Sequence, residues 1–279
     1  MEERTGPLDA PDAWLTPRML DEKIRALVAD ARRRHDLPVG CAGAVACARL
    51  GLRLQHGPLP AGIDGLLAGN CVVVAKALTH RARVEFSIYH EIMHRLIEED
   101  GALIEYYTTR LRRDDRAYHV AIERCCQQGA AEFLLPRADV QAAITAEGFA
   151  PDLVGLLAER AGVSLAAAAI QLAQCAPVEC YVVLCGPGPT GLVVAYAPTN
   201  GRYPLARASP IPADHPLARS WRTRAPASGW SYVPFPSGKR VPCRCEATYR
   251  AGLVIGVLMV LRLALDRRFL CRVTGDLSP

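Results

Sequence analysis

Lysine is almost missing from this sequence. Lys23, Lys76 and Lys239 are the only three, and arginine supplies the rest of the 33 basic residues. Set against 28 acids, they leave a formal net charge of +5, too mild over 279 residues to argue for nucleic acid or a membrane surface. Long apolar runs are scarce as well. The most apolar, AGLVIGVLMVLRLAL at 251–265, is broken by Arg262 and is shorter than the ~20 residues of a spanning helix. It reads as a buried strand, and no membrane is expected. The opening MEERTGPLDAPDAWLTPRML places acids first and carries no apolar stretch of signal-peptide type. The eleven cysteines form no CxxC pair, Cys243 and Cys245 alone coming near one. They are expected to be reduced thiols packed as small hydrophobes in a cytoplasmic protein, with a CxC metal or redox pair at 243 and 245 as the alternative.

What is present is apolar material, 51% of the residues, enough for a sizeable core and two or three domains. A first helix is expected from Pro17 to Arg34, capped by Thr16, with Met19, Ile24, Leu27 and Val28 as its apolar stripe. Between 41 and 76 the runs AGAVACARL, GIDGLLAG and CVVVAKAL, separated by Gly and Pro, predict a small sheet. The pattern turns helical over 81–99. A charged connection, RLRRDDR, leads to a second helix from Tyr118 to Leu135, stopped by Pro136. In LVGLLAERAGVSLAAAAIQLAQ one helix ends near Ala161, Gly162 turns the chain and Ser164 caps the next, a helix-turn-helix spelling. After Ala176 the chain becomes strand-like, in CYVVLCGPGPTGLVVAYAP and again at 230–236, 244–249 and 252–261.

One motif carries chemistry. YHEIMHRLIEED at 89–100 sets His90 and His94 four apart, one above the other on a helix, close enough to bind one ion. Catalytic zinc needs a third protein ligand and an open position. Glu91, on an adjacent angle of the same helix, can take a proton from water and pass it to a leaving amine. The competing reading is a helix with a stacked histidine pair and a surface glutamate. For the third ligand the residues leave Glu123, His119 and Glu132 open. Glu123 is favoured, because Gly129, Ala130 and Ala131 one turn later allow close helix approach. Glu98, Glu99 and Asp100 read as a solvated helix end.

EFSIYHEIMH, followed by E…QQGAAEFLLP, resembles the zinc-peptidase-like family of ImmA and IrrE, on its radiation-response side. That family pairs a phrase like RFTxAHExxH with a later E-x-x-x-N-x-x-A-A-x-x-L-M-P, and DHPLARSWRTRAPASGWSYVPFPSGKRVP resembles its GAF-like C-terminal domain. The resemblance implies an α+β chain with a zincin-like metallopeptidase domain at 1–136, a helix-turn-helix-like linker at 137–177 and a GAF-like sensor or interaction domain at 178–279. It makes His90, His94 and Glu123 the ligands of Zn²⁺, with Mn²⁺ possible, and Glu91 the catalytic base. It further implies cleavage of a helix-turn-helix transcriptional repressor, which releases DNA-damage-response genes. The sequence departs from the family phrase at Glu85 (usually Arg), Ser87 (Thr), Tyr89 (a small residue) and Gln127 (Asn). Tyr89 could narrow the cleft or offer its hydroxyl to an oxyanion; the simpler reading packs its ring on a neighbouring helix.

A second class of function is a regulatory protein that binds DNA or a partner and has a structural metal. Against DNA, the would-be recognition helix SLAAAAIQLAQ has no Arg or Lys, and only Gln171 and Gln174 to read bases. Direct DNA binding is therefore not expected.

Overall fold

The computed structural model describes residues 17–111, 115–189 and 191–261. They divide into two compact units, one comprising the chain up to Thr79 with Val84–Phe133, the other His80–Arg83 with the chain from Leu134 onward.

The first unit begins with α1 (Pro17–Arg34), whose Ile24, Val28 and Ala31 are buried at helical spacing. Thr16, the expected cap, lies outside the described residues. Next comes α2 (Gly43–Arg49), where the sequence suggested a strand. Its buried residues are Gly43, Ala46 and Cys47, a spacing of three and four that only a helix gives. Alanine favours that choice, and Gly43 permits it, since a Cβ there would stand 2.7 Å from Ile88 Cγ2. The small sheet follows: β1 (Arg53–Gly57), β2 (Gly65–Ala68) and β3 (Cys71–Ala75). β3 is central, parallel to β1 and antiparallel to β2, which leaves β2 on an edge.

Three helices complete this unit: α3 (Arg81–Glu99), α4 (Gly101–Leu111) and α5 (Asp115–Leu134). On α3 the pairs 88/89, 92/93 and 96/97 are buried, a stripe two residues wide, with Ser87 and Glu91 buried beside it. Asp100 breaks α3 from α4: its Oδ1 accepts from the Leu103 N–H at 3.0 Å and its Oδ2 pairs with Lys23 Nζ at 3.0 Å. Of the expected charged connection RLRRDDR, Arg110 and Leu111 close α4, Asp115 and Arg116 open α5, and 112–114 lie outside the described residues.

The second unit opens with α6 (Arg137–Glu147), α7 (Asp152–Ala161) and α8 (Leu165–Cys175). Gly162, at φ 66°, ends α7, and the Ser164 hydroxyl caps α8 by accepting from Ala167 N–H at 3.1 Å. The two helices meet at 116°. Five strands follow, β4 (Cys180–Gly188), β5 (Gly191–Tyr196), β6 (Ala227–Tyr232), β7 (Pro242–Arg250) and β8 (Leu253–Val260), with α9 (Pro216–Thr223) between β5 and β6. The sheet order is β5-β4-β8-β7-β6, every pair antiparallel. Both faces are covered. Val182, Leu184, Ile255 and Val257 meet α7 and α8, whereas Tyr181, Val183, Val254 and Leu258 face the core that holds Leu217 of α9. The segment 137–177 thus shares a core with the sheet. No single helix among the described residues is long and apolar enough to cross a membrane.

Glu85 has a structural role here. Its Oε2 accepts the Gly43 N–H at 2.6 Å, satisfying an orphan donor of α2, whose own N-cap, Ala42, has no side chain to do so. Glu85→Ala is expected to cost about 1–2 kcal/mol in urea denaturation; an unchanged midpoint would refute the cap.

Candidate metal centre

His90 and His94 project from one face of α3, ring centroids 5.0 Å apart and nearly edge-on at 70°. From α5, Glu123 presents one carboxylate to both: Oε2 lies 3.1 Å from His90 Nε2 and Oε1 lies 3.3 Å from His94 Nε2. Two imidazoles and a carboxylate are a donor set that catalytic zinc uses, and here all three converge, so these residues fit a divalent ion. Burial lowers the His90 pKa, with Glu123 opposing, which favours the neutral ring that can donate a lone pair. Close packing places Glu123: a Cβ on Gly129, six residues further along α5, would stand 2.4 Å from Met93 Sδ. The small residues after Glu123 do bring the helices together.

Glu91 is only 6% exposed. Burial first, then the nearby Glu123 charge, push its carboxyl up to about 7, while a hydrogen bond from the Leu67 N–H of β2 pulls the other way. The same strand approaches so closely that a Cβ on Gly65 would stand 2.8 Å from Glu91 Oε1. Strand and helices enclose a cavity of about 580 Å³, lined by 62–67, Phe86, Ser87, Glu98 and Gln127 besides His90, Glu91, His94 and Glu123.

Residues 47–173 match the model of the IrrE N-terminal-like domain family. Over those residues the chain is similar to this family. It is similar to the radiation response metalloprotease IrrE of Deinococcus deserti, 33% identical over 193 residues, covering 63% of this chain and 66% of that protein. It is also similar to the radiation response metalloprotease IrrE of Deinococcus radiodurans, 28% identical over 207 residues, covering 66% and 61%. The chain therefore spans just under two thirds of these curated relatives. A solved structure described as a Mycobacterium tuberculosis transcriptional regulator shares the fold, with a TM-score of 0.52 at 15% identity over 92% of this chain and 80% of that one.

Within this IrrE-like unit the other sequence candidates fall away from the cavity. His119 is exposed and meets only the Tyr118 ring among described aromatic contacts, edge-on at 5.7 Å, and neither it nor Glu132 lines the cavity. Tyr89 turns the opposite way. It is 2% exposed, stacks on Phe133 at 5.1 Å, and donates its hydroxyl proton to the Cys41 carbonyl at 2.7 Å, so it supplies nothing to an oxyanion. Glu98, exposed near the end of α3 as expected, also lines the cavity.

Three features escaped the sequence reading: Gly65 and Leu67 on β2, and the Cys126 thiol, which lies with the His90 and His94 nitrogens in a group within 4.8 Å of one another. The spacing E-x-x-C was the available signal for the last. Cys243 and Cys245, by contrast, are buried in the sheet core of the second unit, where burial pushes the Cys243 thiol up to about 12.

The metal content of purified variants separates the third-ligand candidates. Glu123→Ala is expected to weaken binding of the ion and His119→Ala to leave it unchanged; weakening only in the latter would overturn the assignment. A second test uses the metal-free protein. Its Glu91 holds a proton between about 4.5 and 7 that the unfolded chain has released, so the folded state loses stability as pH rises through that window. Glu91→Gln should therefore raise the melting temperature above pH 7, the gain fading towards pH 4.5. A pH-independent difference would contradict a raised carboxyl.

Proposed function

We propose that this protein is a metal-dependent, site-specific endopeptidase of the HExxH type, with His90, His94 and Glu123 holding Zn²⁺, or Mn²⁺ in its place, and Glu91 as general base. The observation that carries the reading is Glu91: a buried carboxyl titrating near neutrality, beside two imidazoles and a carboxylate that face one point. A purely structural site has no need of such a group. Similarity to the IrrE N-terminal-like domain family and to relatives named metalloproteases supports the same conclusion.

A bound divalent ion supplies Lewis acidity and brings the pKa of water from 15.7 to about 7. The chain supplies the rest. Beside a cation held by the histidines, Glu91 is favoured in its ionised form, which can accept a proton from water, and the protonated carboxyl can then deliver it to the departing amine. The Leu67 N–H holds the Glu91 carboxylate in place, and Gly65 leaves room for it. β2 is an edge strand lining the cavity, which gives an extended peptide a backbone to pair with.

The proposed substrate is a helix-turn-helix transcriptional repressor whose cleavage induces DNA-damage and radiation-response genes in the cytoplasm. The names of the Deinococcus relatives support the radiation-response setting. We read the remainder as a helix-turn-helix-like linker and a GAF-like sensor or docking domain. The 116° angle between α7 and α8 supports the helix-turn-helix-like reading, and the five antiparallel strands on which these helices pack support the sheet-domain reading. The alternative of a DNA-binding regulator is weakened by α8 itself. Gln171 is 4% exposed, and Gln174 is engaged by Arg137 at 3.1 Å.

The test incubates the purified protein and Zn²⁺ or Mn²⁺ with a candidate repressor, beside Glu91→Gln. Glu91→Gln is expected to bind the ion yet cut at least ~100-fold more slowly. If wild type leaves the repressor whole while still releasing it from DNA, the peptidase reading is wrong.

A further inference from the structure

The His90–His94 pair is approached from two sides. Glu123 meets both Nε2 atoms from the cavity. One turn further along α5, Cys126 is 0% exposed, and its Sγ and the two histidines' ring nitrogens lie within 4.8 Å of one another. The thiol has no hydrogen-bond partner among the described residues. A fully enclosed sulfur that faces two metal-binding imidazoles, and makes no bond of its own, is placed as a donor.

We propose that Cys126 is a fourth, inner-sphere ligand of the ion, completing a His90–His94–Glu123–Cys126 site. The inference rests on the metal-site reading above and deepens it. Donors sharing a tetrahedral zinc stand about 3.3–3.6 Å apart, given bonds of about 2.0–2.3 Å, so a shift of roughly 1 Å brings the Cys126 sulfur to donor distance from the two histidines. On binding, the S–H bond breaks, its proton leaves to solvent and a sulfur–metal bond forms.

Two properties follow. Four protein donors leave no position for water, whereas three leave one open, so the resting site is closed and release of the sulfur opens it. A thiolate is a soft donor, so the site takes zinc or cobalt in preference to manganese.

X-ray absorption at the zinc edge of the full chain, loaded with one equivalent of Zn²⁺, tests this without relying on activity. One sulfur neighbour at about 2.3 Å is expected among nitrogen and oxygen neighbours near 2.0 Å. With Co²⁺ instead, a near-ultraviolet thiolate-to-metal band is expected, lost in Cys126→Ala or Cys126→Ser and kept in Cys125→Ala. Bound metal without a sulfur neighbour, or a cobalt band that survives both Cys126 variants, overturns the Cys126 ligand but leaves the peptidase reading intact. Failure to bind either metal overturns the metal-site reading itself. Should the Cys126 variants fail to fold, the zinc spectrum of the wild type still decides whether sulfur is present, and the Cys125 variant whether its neighbour supplies it.

Discussion

The chemistry of this molecule depends on how closely α5 can approach α3, and that distance is set where Gly129 lies against the enclosed Met93 side chain. Neither helix can supply the site alone. α3 carries both imidazoles and Glu91, but the carboxylate that faces them comes from α5. A side chain at Gly129 would force Met93 to move inside a filled core, where even small volume changes distort the neighbours. The small residue at 129 thus favours the close approach that brings Glu123 to the histidines.

A similar close approach acts on the third side of the cavity. β2 comes up to α3 so nearly that a Cβ at 65 would meet the Glu91 carboxylate, and the Leu67 N–H is delivered to Glu91. The two effects on that carboxyl oppose each other. Removal from water favours the protonated form, and the amide favours the charged one; removal from water wins, with the Glu123 charge adding to it. The outcome is a group that can both take and give a proton near neutrality, which neither a solvated nor a fully isolated glutamate would do.

Much of this was legible from the sequence, because helical period exposes itself along a chain. The two histidines, the glutamate between them and the carboxylate 33 residues after His90 lie on two long helices whose spacing reads directly. The apolar runs of β4 and β8, buried almost throughout, were equally visible as strands. What stayed hidden was short or contributed through space. α2 has seven residues and an apolar pattern compatible with either helix or strand, and its choice is fixed by Ile88 and by Glu85, some forty positions away. α9 has only eight residues, too short a stretch for its apolar spacing to stand out along the chain. Gly65, Leu67 and Cys126 bear no local mark of their neighbours, since only the folded chain brings a backbone amide or a thiol to a particular side chain.

Tyr89 acquires a different meaning once its surroundings are known. It sits immediately before His90, yet both its ring and its hydroxyl are secured on the far side of the helix, against Phe133 and the Cys41 carbonyl. A helix held in this way cannot roll about its own axis. Side-chain atoms ride roughly 5–6 Å from that axis, so a 10° roll would sweep the imidazoles through about 1 Å. Misplacement of that size costs an enzyme on the order of a hundredfold in rate. The tyrosine is therefore a rotational stop, aiming its neighbours from behind without entering the chamber they face.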